Sequence, residues 1–488
     1  VQPPDQPAAD AARLTRAQQD AVAELLRISP VADDLGKLFQ RSGFQLHLVG
    51  GSVRDALLGV LGNDLDFTTD ARPAQILDLV RDWGDSVWET GIEFGTVGVG
   101  KAGFVIEITT FRSDQYDGDS RNPVVTFGDT LDHDLQRRDF TVNAMAVSLP
   151  AHEFTDPFGG LRDLAAGRLD TPAAPEQSFG DDPLRMLRAV RFTSQLRVTP
   201  TARVVAAMTD MAPQLARITV ERVQVELRKL MLTANPRAGL TLMVDTGLAE
   251  LVLPELPALK LERDEHHQHK DVYQHSLTVL EQAMAQEDPA EGADETLRWA
   301  ALLHDIGKPA TRRFEPDGGV SFHHHEVVGA KLVRKRLRAL KFPKNLTEDI
   351  ADLTFLHLRF HGYAGGEWTD SAVRRYVTDA GELLPRLHKL VRADCTTRNK
   401  RRRAALQGAY DSLERRIAEL AAAEDLARVR PDLDGNAIMQ LLNIPPGPLV
   451  GRAWSFLKEL RLERGPLDPA DAEVELLAWA KREGLGTP

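Results

Sequence analysis

The sequence predicts an α+β fold: a sheet-bearing first part followed by a long succession of helices. Three observations carry this expectation. Up to about residue 170, short apolar runs alternate with glycine-containing turns. After about Pro172 the apolar residues recur at helical spacing and strand signals become sparse. From His266 to His388 the chain is helical and rich in histidine, holding eleven of the 14 histidines. The composition is that of a globular protein, with 42% hydrophobic and 27% charged residues among 488. It excludes a mostly disordered or collagen-like chain. A single cysteine, Cys395, excludes an intramolecular disulfide framework and a thiolate zinc site. No apolar run reaches the roughly 18 residues of a membrane span, and the first residues lack signal-peptide character. A reducing cytoplasm is the expected setting. The net charge of −12, taken as a total, argues against a nucleic-acid binder.

The elements follow in order. Residues 1–20, rich in Pro, Ala, Gln and Asp, read as a flexible tail. Val22, Leu25, Leu26, Val31, Leu35, Leu38 and Phe39 share a helical face, so 21–41 reads as a helix stopped by Ser42-Gly43. Gln45–Val49 reads as a buried strand, Val53–Leu58 as a helix entered through Gly50-Gly51, and Asp64–Thr68 as a second strand. Segments 87–92, 95–100 and 104–111 read as successive strands. Helical periodicity then marks 183–196, 201–211, 220–232 and 236–246. Pro254 and Pro257 mark a boundary. The resulting division is a tail (1–20), a head (21–170), a helical neck (171–262), a histidine-rich helical region (263–400) and a C-terminal helical region (401–488).

The segment Leu48–Gly59 followed by Asp64-Leu65-Asp66 carries the most chemistry. A glycine pair lets backbone approach a phosphate, and the next helix offers its amino end to an anion. Arg54 lies one turn in, within reach of a triphosphate. Asp64 and Asp66 alternate along a strand and point to one face. Paired carboxylates suit hard divalent ions such as Mg²⁺ that bridge substrate phosphates. A bare D-x-D equally suits a solvated turn; the adjoining glycine-arginine helix is what favours chemistry. Glu107, on a later strand, is either a third acid on that face or a solvated side chain.

Asp182 and Arg185, three apart on an expected helix with Pro183 in its first turn, share a face. An aspartate accepts hydrogen bonds and an arginine donates them. Cytosine and adenine both present an amine beside a ring-nitrogen acceptor, whereas guanine and uracil present the reverse. The pair therefore suits C and A, and leaving its polar groups unpaired against G or U costs about 1–3 kcal/mol per group. Arg188 and Arg191 continue that face toward phosphate or ribose. A surface ion pair is the plainer alternative.

Here the motifs reach a known family. The run G50-G-S-V-R-D-A-L-L-G with D64-L-D66 resembles the nucleotidyltransferase head of class II CCA-adding enzymes and bacterial poly(A) polymerases. So do, in order, the blocks beginning at Gly91, Glu107, Arg137, Asp156, Phe179 and Glu221. The resemblance implies a polymerase-β-like palm joined to helical neck, body and tail regions that hold a tRNA acceptor end. It implies catalytic, metal-holding Asp64 and Asp66, and nucleotide-binding Gly51, Arg54, Arg138, Asp182, Arg185, Arg188 and Arg191. Mg²⁺ is the implied cofactor, CTP and ATP the substrates and the tRNA 3′ end the partner, with no membrane. The loop over about 118–130 is expected to matter for the switch from C to A. Poly(A) synthesis from ATP alone is the nearest alternative. A phosphohydrolase with a degenerate RNA-binding head is a more distant one.

A second constellation lies downstream. Adjacent His304-Asp305, with His275 before it and Asp394 after it, gives a mixed nitrogen and oxygen donor set suited to a divalent transition metal. It resembles an HD-type phosphohydrolase region over about 266–395, in which His275, His304, Asp305 and Asp394 match the core ligands. His325 and His357 match histidines that some members add. His266, His267 and His269 read as surface residues. A scaffold without metal remains the alternative. The negative total charge is also unevenly spread: Lys331, Arg334, Lys335, Arg336, Arg338, Lys341 and Lys344 contain no acid among them, and Arg398 with Lys400–Arg403 forms a second basic run. Each is either an RNA-facing surface or a solvated helix face.

Overall fold

The computed structural model describes residues 29–60, 62–115, 124–127, 130–261, 271–316, 320–360, 368–397, 399–424 and 429–485. The N-terminal tail, His266, His267, His269, Arg398 and much of the 118–130 loop lie outside them. Backbone contacts divide the chain into two compact units, Val1–Val252 and Leu253–Pro488. Among the described residues no helix is long and apolar enough to cross a membrane.

The first unit is built on a seven-stranded sheet. Its strands are β1 (Leu46–Val49), β2 (Asp64–Thr69), β3 (Ser86–Trp88), β4 (Thr96–Lys101) and β5 (Phe104–Thr110), a small separate hairpin of β6 (Arg112–Gln115) and β7 (Val124–Phe127), then β8 (Ala146–Leu149) and β9 (Phe154–Thr155). The sheet order is β3-β4-β5-β2-β1-β8-β9, and only the β2–β5 pair is parallel. Alternation assigns the two faces. Leu46, Leu48, Leu65, Phe67, Val97, Val99, Ile106 and Ile108 point to one side, where Leu35 and Phe39 of the helix Pro30–Arg41 and Ile76 and Val80 of the helix Pro73–Val80 cover them. The opposite side is left for polar residues.

Of the helix expected over 21–41, residues 21–28 lie outside the described residues; Ser29 has φ −113° and ψ 84°, outside the helical region, and a helix runs from Pro30 to Arg41. Proline has no N–H to give to a preceding turn and fits the first helical position. The segment read as a strand over 87–92 also ends early, at Trp88, and a 3₁₀ turn over Ile92–Phe94 sits between Gly91 and Gly95, both at positive φ. The neck helices fall where periodicity put them: Leu184–Gln195, Ala202–Met211, Val220–Met231 and Pro236–Asp245.

Among its described residues the second unit is mostly helical, with a two-stranded pair over 313–314 and 320–321. Helices Val272–Met284, Glu295–Leu303, His325–Ala339, Lys344–Leu356 and Leu384–Asp394 surround the histidines. Three later helices, Gly435–Leu442, Pro448–Arg464 and Pro469–Arg482, close over their own core, which includes Ile438, Leu457, Leu476 and Trp479.

Candidate active site

The polar face of the head sheet carries the acids. Parallel pairing sets Asp66 beside Glu107 and Asp64 beside Val105, while Leu65, Phe67, Ile106 and Ile108 turn into the core. Asp64, Asp66 and Glu107 therefore share one face. Ser52 fixes the preceding helix to this strand: its Oγ donates to the Asp64 carbonyl at 3.3 Å and accepts from the Asp66 N–H at 3.0 Å. Asp66 is exposed on that face. Desolvation by its surroundings raises its pKa, with Asp64 adding to the rise and Arg138, Arg54 and Arg188 opposing it. Desolvation, with Asp66 and Asp64, raises Glu107 likewise. Crowded, mutually repelling carboxylate oxygens are a donor set that a hard cation such as Mg²⁺ stabilises.

Three of the expected arginines converge on Asp66. Gly50 has φ +69°, and the Arg138 guanidinium lies 3.1 Å from where its Cβ would be, with Asp66 Oδ2 3.8 Å from the same point. A side chain at Gly50 would thus close the gap between arginine and acid. Asp134, fully buried, holds Arg138 at 2.9 Å and Arg137 at 2.6 Å. Arg138 Nε is buried and makes no hydrogen bond. Arg54 is 5% exposed; it bonds Asp55 and donates from Nη1 to Asn143 Oδ1 at 2.6 Å. Asn143 in turn donates to Asp139 at 3.0 Å, and Asp139 accepts from Arg188 Nε at 2.8 Å. Burial alone would raise the Asp139 pKa, but Arg188, the Asn143 hydrogen bond and Arg185 hold it well below the usual carboxylate range. Arg54, Arg188 and Arg191 also stack around the Phe192 ring at 5.3, 5.4 and 4.3 Å.

The remaining expected residues are engaged differently. Asp182 does not share a helix with Arg185: it is extended (φ −141°, ψ 99°), Pro183 is the cap residue and the helix starts at Leu184. The residue before a proline is pushed out of the helical region, so a single i,i+3 turn, Arg185 N–H to Asp182 carbonyl at 3.0 Å, replaces the shared helical face. Asp182 caps Leu184 N–H at 3.1 Å and pairs with Arg222 at 2.7 Å. Arg185 is 9% exposed and donates to Ser178 Oγ at 2.8 Å and to the Arg137 carbonyl at 2.6 Å. Arg191 pairs with buried Glu226 at 2.6 Å and with Gln195 at 2.5 Å. Gly51 begins the helix beside the acids.

The sequence reading missed Asp134, Asp139, Asn143 and Glu226, which aim these arginines. Three of them lie in or just before the family-like block that begins at Arg137 (R137-R-D-F-T-V-N), and its polar residues among apolar ones are the available signal.

In the second unit the histidines converge. Nδ1 of His304, His325 and His357 lies 2.9, 2.8 and 2.5 Å from the carbonyls of Ala301, Phe322 and Thr354, and Nδ1 of His275 lies 3.2 Å from Thr396 Oγ1. These partners turn every Nε2 inward. His275 Nε2 lies 2.9 Å from Asp394 Oδ1 and 3.5 Å from Asp305 Oδ2; His304 Nε2 lies 3.2 Å from Asp305 Oδ2. His325 Nε2 lies 3.2 Å and His357 Nε2 4.0 Å from the other Asp305 oxygen. Two groups result, His275-His304-Asp394 and Asp305-His325-His357, each with ligand atoms within 4.8 Å of one another. Asp305 faces both. Among the described residues these are the two tight three-ligand groups; the head carboxylates do not form one. Burial disfavours a charged His304, but Asp305 and Asp394 push it up to about 10, while burial and His304 lower His357 to about 3. His325 Nε2 and His357 Nε2 are buried without a hydrogen bond. Inward-facing imidazole nitrogens with one buried carboxylate, Asp305, and one half-buried carboxylate, Asp394, fit divalent metal.

The three arginines of the first basic run are paired. Arg334 pairs with Glu348 and Asp352, Arg338 with Glu348 and Arg336 with Glu255, at 2.6–2.9 Å. Acids on neighbouring helices thus engage its arginines.

Comparison with known proteins decides the family. An A-adding tRNA nucleotidyltransferase from Deinococcus radiodurans is 32% identical over 448 residues, 89% of this chain and 95% of that enzyme. The chain belongs to the tRNA nucleotidyltransferase family. Residues 46–170 match the Poly A polymerase head domain, 198–259 the probable RNA and SrmB-binding site of polymerase A, and 272–421 the HD domain. The CCA-adding enzyme of Levilactobacillus brevis is 44% identical over 210 residues, 43% of this chain and about half (52%) of that enzyme. The Bacillus stearothermophilus CCA-adding enzyme in complex with CTP shares the fold at a TM-score of 0.65 with 25% identity, over 93% of this chain and 99% of that one.

Proposed function

We propose that this nucleotidyltransferase adds or repairs the 3′-terminal CCA of tRNA from CTP and ATP without a nucleic-acid template. The observation that carries the reading is the shared face of Asp64, Asp66 and Glu107, with the Arg138 guanidinium and Asp66 meeting at Gly50. The RNA 3′-hydroxyl attacks the nucleotide α-phosphate and pyrophosphate leaves. Asp64 and Asp66 are the residues that would hold Mg²⁺, which when bound activates the hydroxyl and stabilises the leaving phosphates. Gly50-Gly51 give the phosphates close access to backbone, and Arg54, Arg138 and Arg188 offset the charge gathered at the α-phosphate. Asp182 and Arg185, with Arg191 fixing the following turn, are assigned to base selection; the base amine replaces Arg222 at Asp182. In this assignment residues 171–262 form the nucleotide-selecting neck, and 401–488 hold the tRNA. Addition of A alone is the second reading, favoured by the relative that aligns over nearly its whole length. The test is incorporation of labelled CTP and ATP into tRNA lacking its 3′ end, tRNA ending in C and tRNA ending in CC. Stepwise C, C, A supports the proposal; A on the CC end with no use of CTP supports the second reading.

For the second unit we propose a transition-metal centre of His275, His304, Asp305 and Asp394, widened by His325 and His357, with phosphohydrolase activity. Asp305, placed between the two groups, is the residue suited to bridge two ions. Metal analysis of His304→Ala and Asp305→Ala tests this: unchanged metal content leaves the scaffold reading.

A further inference from the structure

The second basic run has a placement that local physics opposes. Lys400, Arg401, Arg402 and Arg403 occupy the first turn of the 24-residue helix Lys400–Ala423, which has no acid in that turn. A helix amino end is electropositive, so four cations there repel it and one another. All four are exposed, and among the described residues none has an acidic partner. Only Arg403 is tied down, donating to the Thr397 carbonyl at 3.0 Å. A sequence that violates a local rule this strongly does so where an anion restores the balance.

The run follows the histidine centre closely in sequence. Asp394, Cys395 and Thr396 precede it; Asp394 lies 2.9 Å from His275 Nε2, and Thr396 Oγ1 lies 3.2 Å from His275 Nδ1. The helix itself is docked on the Asp394-bearing helix. Arg392 bonds Gln407 and Asp411 at 2.8 Å, and Tyr410 Oη donates to the Val391 carbonyl at 2.8 Å. Lys400 lies six positions after Asp394, roughly 20 Å at full extension, and the Arg403 side chain reaches back to the Thr397 carbonyl. The centre adds its own indication of a ligand: His325 and His357, 5% and 1% exposed, aim Nε2 inward without a hydrogen bond.

We propose that Lys400, Arg401 and Arg402 form a phosphate-binding collar that directs the end of an RNA strand, rather than a free small phosphoester, to the histidine centre. The inference rests on the phosphohydrolase reading of that centre. Upstream phosphates lie along the collar while the terminal phosphoester enters the centre. Hydrolysis there is balanced with water alone: water attacks phosphorus, the bond from phosphorus to the ribose oxygen breaks, and that oxygen takes the proton.

The experiment uses the full chain loaded with Mn²⁺ or Ni²⁺ and the variant Lys400→Ala/Arg401→Ala/Arg402→Ala, leaving Arg403 and its bond to Thr397. The probes are an eight-residue RNA with a 3′-phosphate, the same RNA with a 3′-hydroxyl, and a 3′-mononucleotide. The expected result is about a tenfold loss of kcat/KM on the phosphorylated RNA with the mononucleotide unchanged. The salt slope for the RNA should flatten by about 0.7 per lost contact. By fluorescence anisotropy, the affinity of both RNAs should fall in the variant by a similar factor, since both carry the upstream phosphates. An equal loss on RNA and mononucleotide, or no loss on either, overturns the collar. If wild type hydrolyses nothing, the phosphohydrolase reading falls, and anisotropy still decides the collar: unchanged RNA affinity in the variant overturns it and a reduced affinity sustains it.

Discussion

Replacing Asp139 by asparagine probes the arginine frame most sharply. Asp139 is 8% exposed and accepts three hydrogen bonds: from the Phe140 N–H at 2.8 Å, Asn143 Nδ2 at 3.0 Å and Arg188 Nε at 2.8 Å. The first two reach Oδ1, where the amide oxygen of Asn fits. The amide nitrogen then meets Arg188, so a donor faces a donor. A hydrogen bond to a charged group contributes about 1.5–3 kcal/mol. The Arg188 side chain is 34% exposed, so water screens part of the loss, leaving about 1.5–2 kcal/mol, roughly 10–30-fold in rate. The assay is kcat/KM for ATP on CC-ended tRNA in wild type, Asp139→Asn, Arg188→Met and the double variant. Asp139→Asn should lose that factor in wild type and little in the Arg188→Met background. An equal loss in both backgrounds would refute the claim that Asp139 acts by aiming Arg188. Stability gives a second arm. Because the folded carboxylate is held below its ordinary pKa near 3.9, its contribution is present above that pH and is lost as pH falls through the folded value. The stability gap between wild type and Asp139→Asn should be full at pH 7 and should narrow below about pH 4.

Four other outcomes are expected. Asp66→Asn should lower nucleotide addition about a thousandfold, near 4 kcal/mol, while filter binding of CTP persists; a loss under tenfold would remove Asp66 from catalysis. His357→Ala should reduce bound Mn²⁺, measured by mass spectrometry, from about two per chain to about one, whereas two ions retained would exclude His357 as a ligand. Gly307→Ala should strip metal from the same centre, because the added Cβ overlaps the His325 carbonyl; wild-type metal content would show that this helix contact is slack. Arg334→Ala should leave tRNA affinity within about twofold and cost at most about 1 kcal/mol, since its charge already faces Glu348 and Asp352; a large affinity loss would mean this helix faces RNA.

Much of the head was legible because alternation in a half-buried strand fixes which side chains face out. Leu65 and Phe67 had to be core, so Asp64 and Asp66 had to share the other face. The neck helices were legible for the same reason at helical period. What periodicity does not encode is long-range pairing. Asp134, Asp139 and Glu226 are buried acids whose purpose shows only when Arg138, Arg188 and Arg191 are folded against them. Asp182 was placed on the helix of Arg185 because spacing alone ignores the restriction a proline puts on the residue before it. The two basic runs look alike as strings, yet the arginines of one pair with acids on neighbouring helices and, among the described residues, those of the other do not. The candidate histidine ligands were legible as residue types, but the position of Asp305 between the two groups needed five helices brought together.

The most direct test of the central claim is single-nucleotide addition to a tRNA lacking its 3′ end, with Mg²⁺ and CTP and ATP supplied separately and together. The account predicts two C residues from CTP alone, a single terminal A once ATP is added, and then arrest. Incorporation of A only on a CC end, or unlimited A addition from ATP alone, would contradict it.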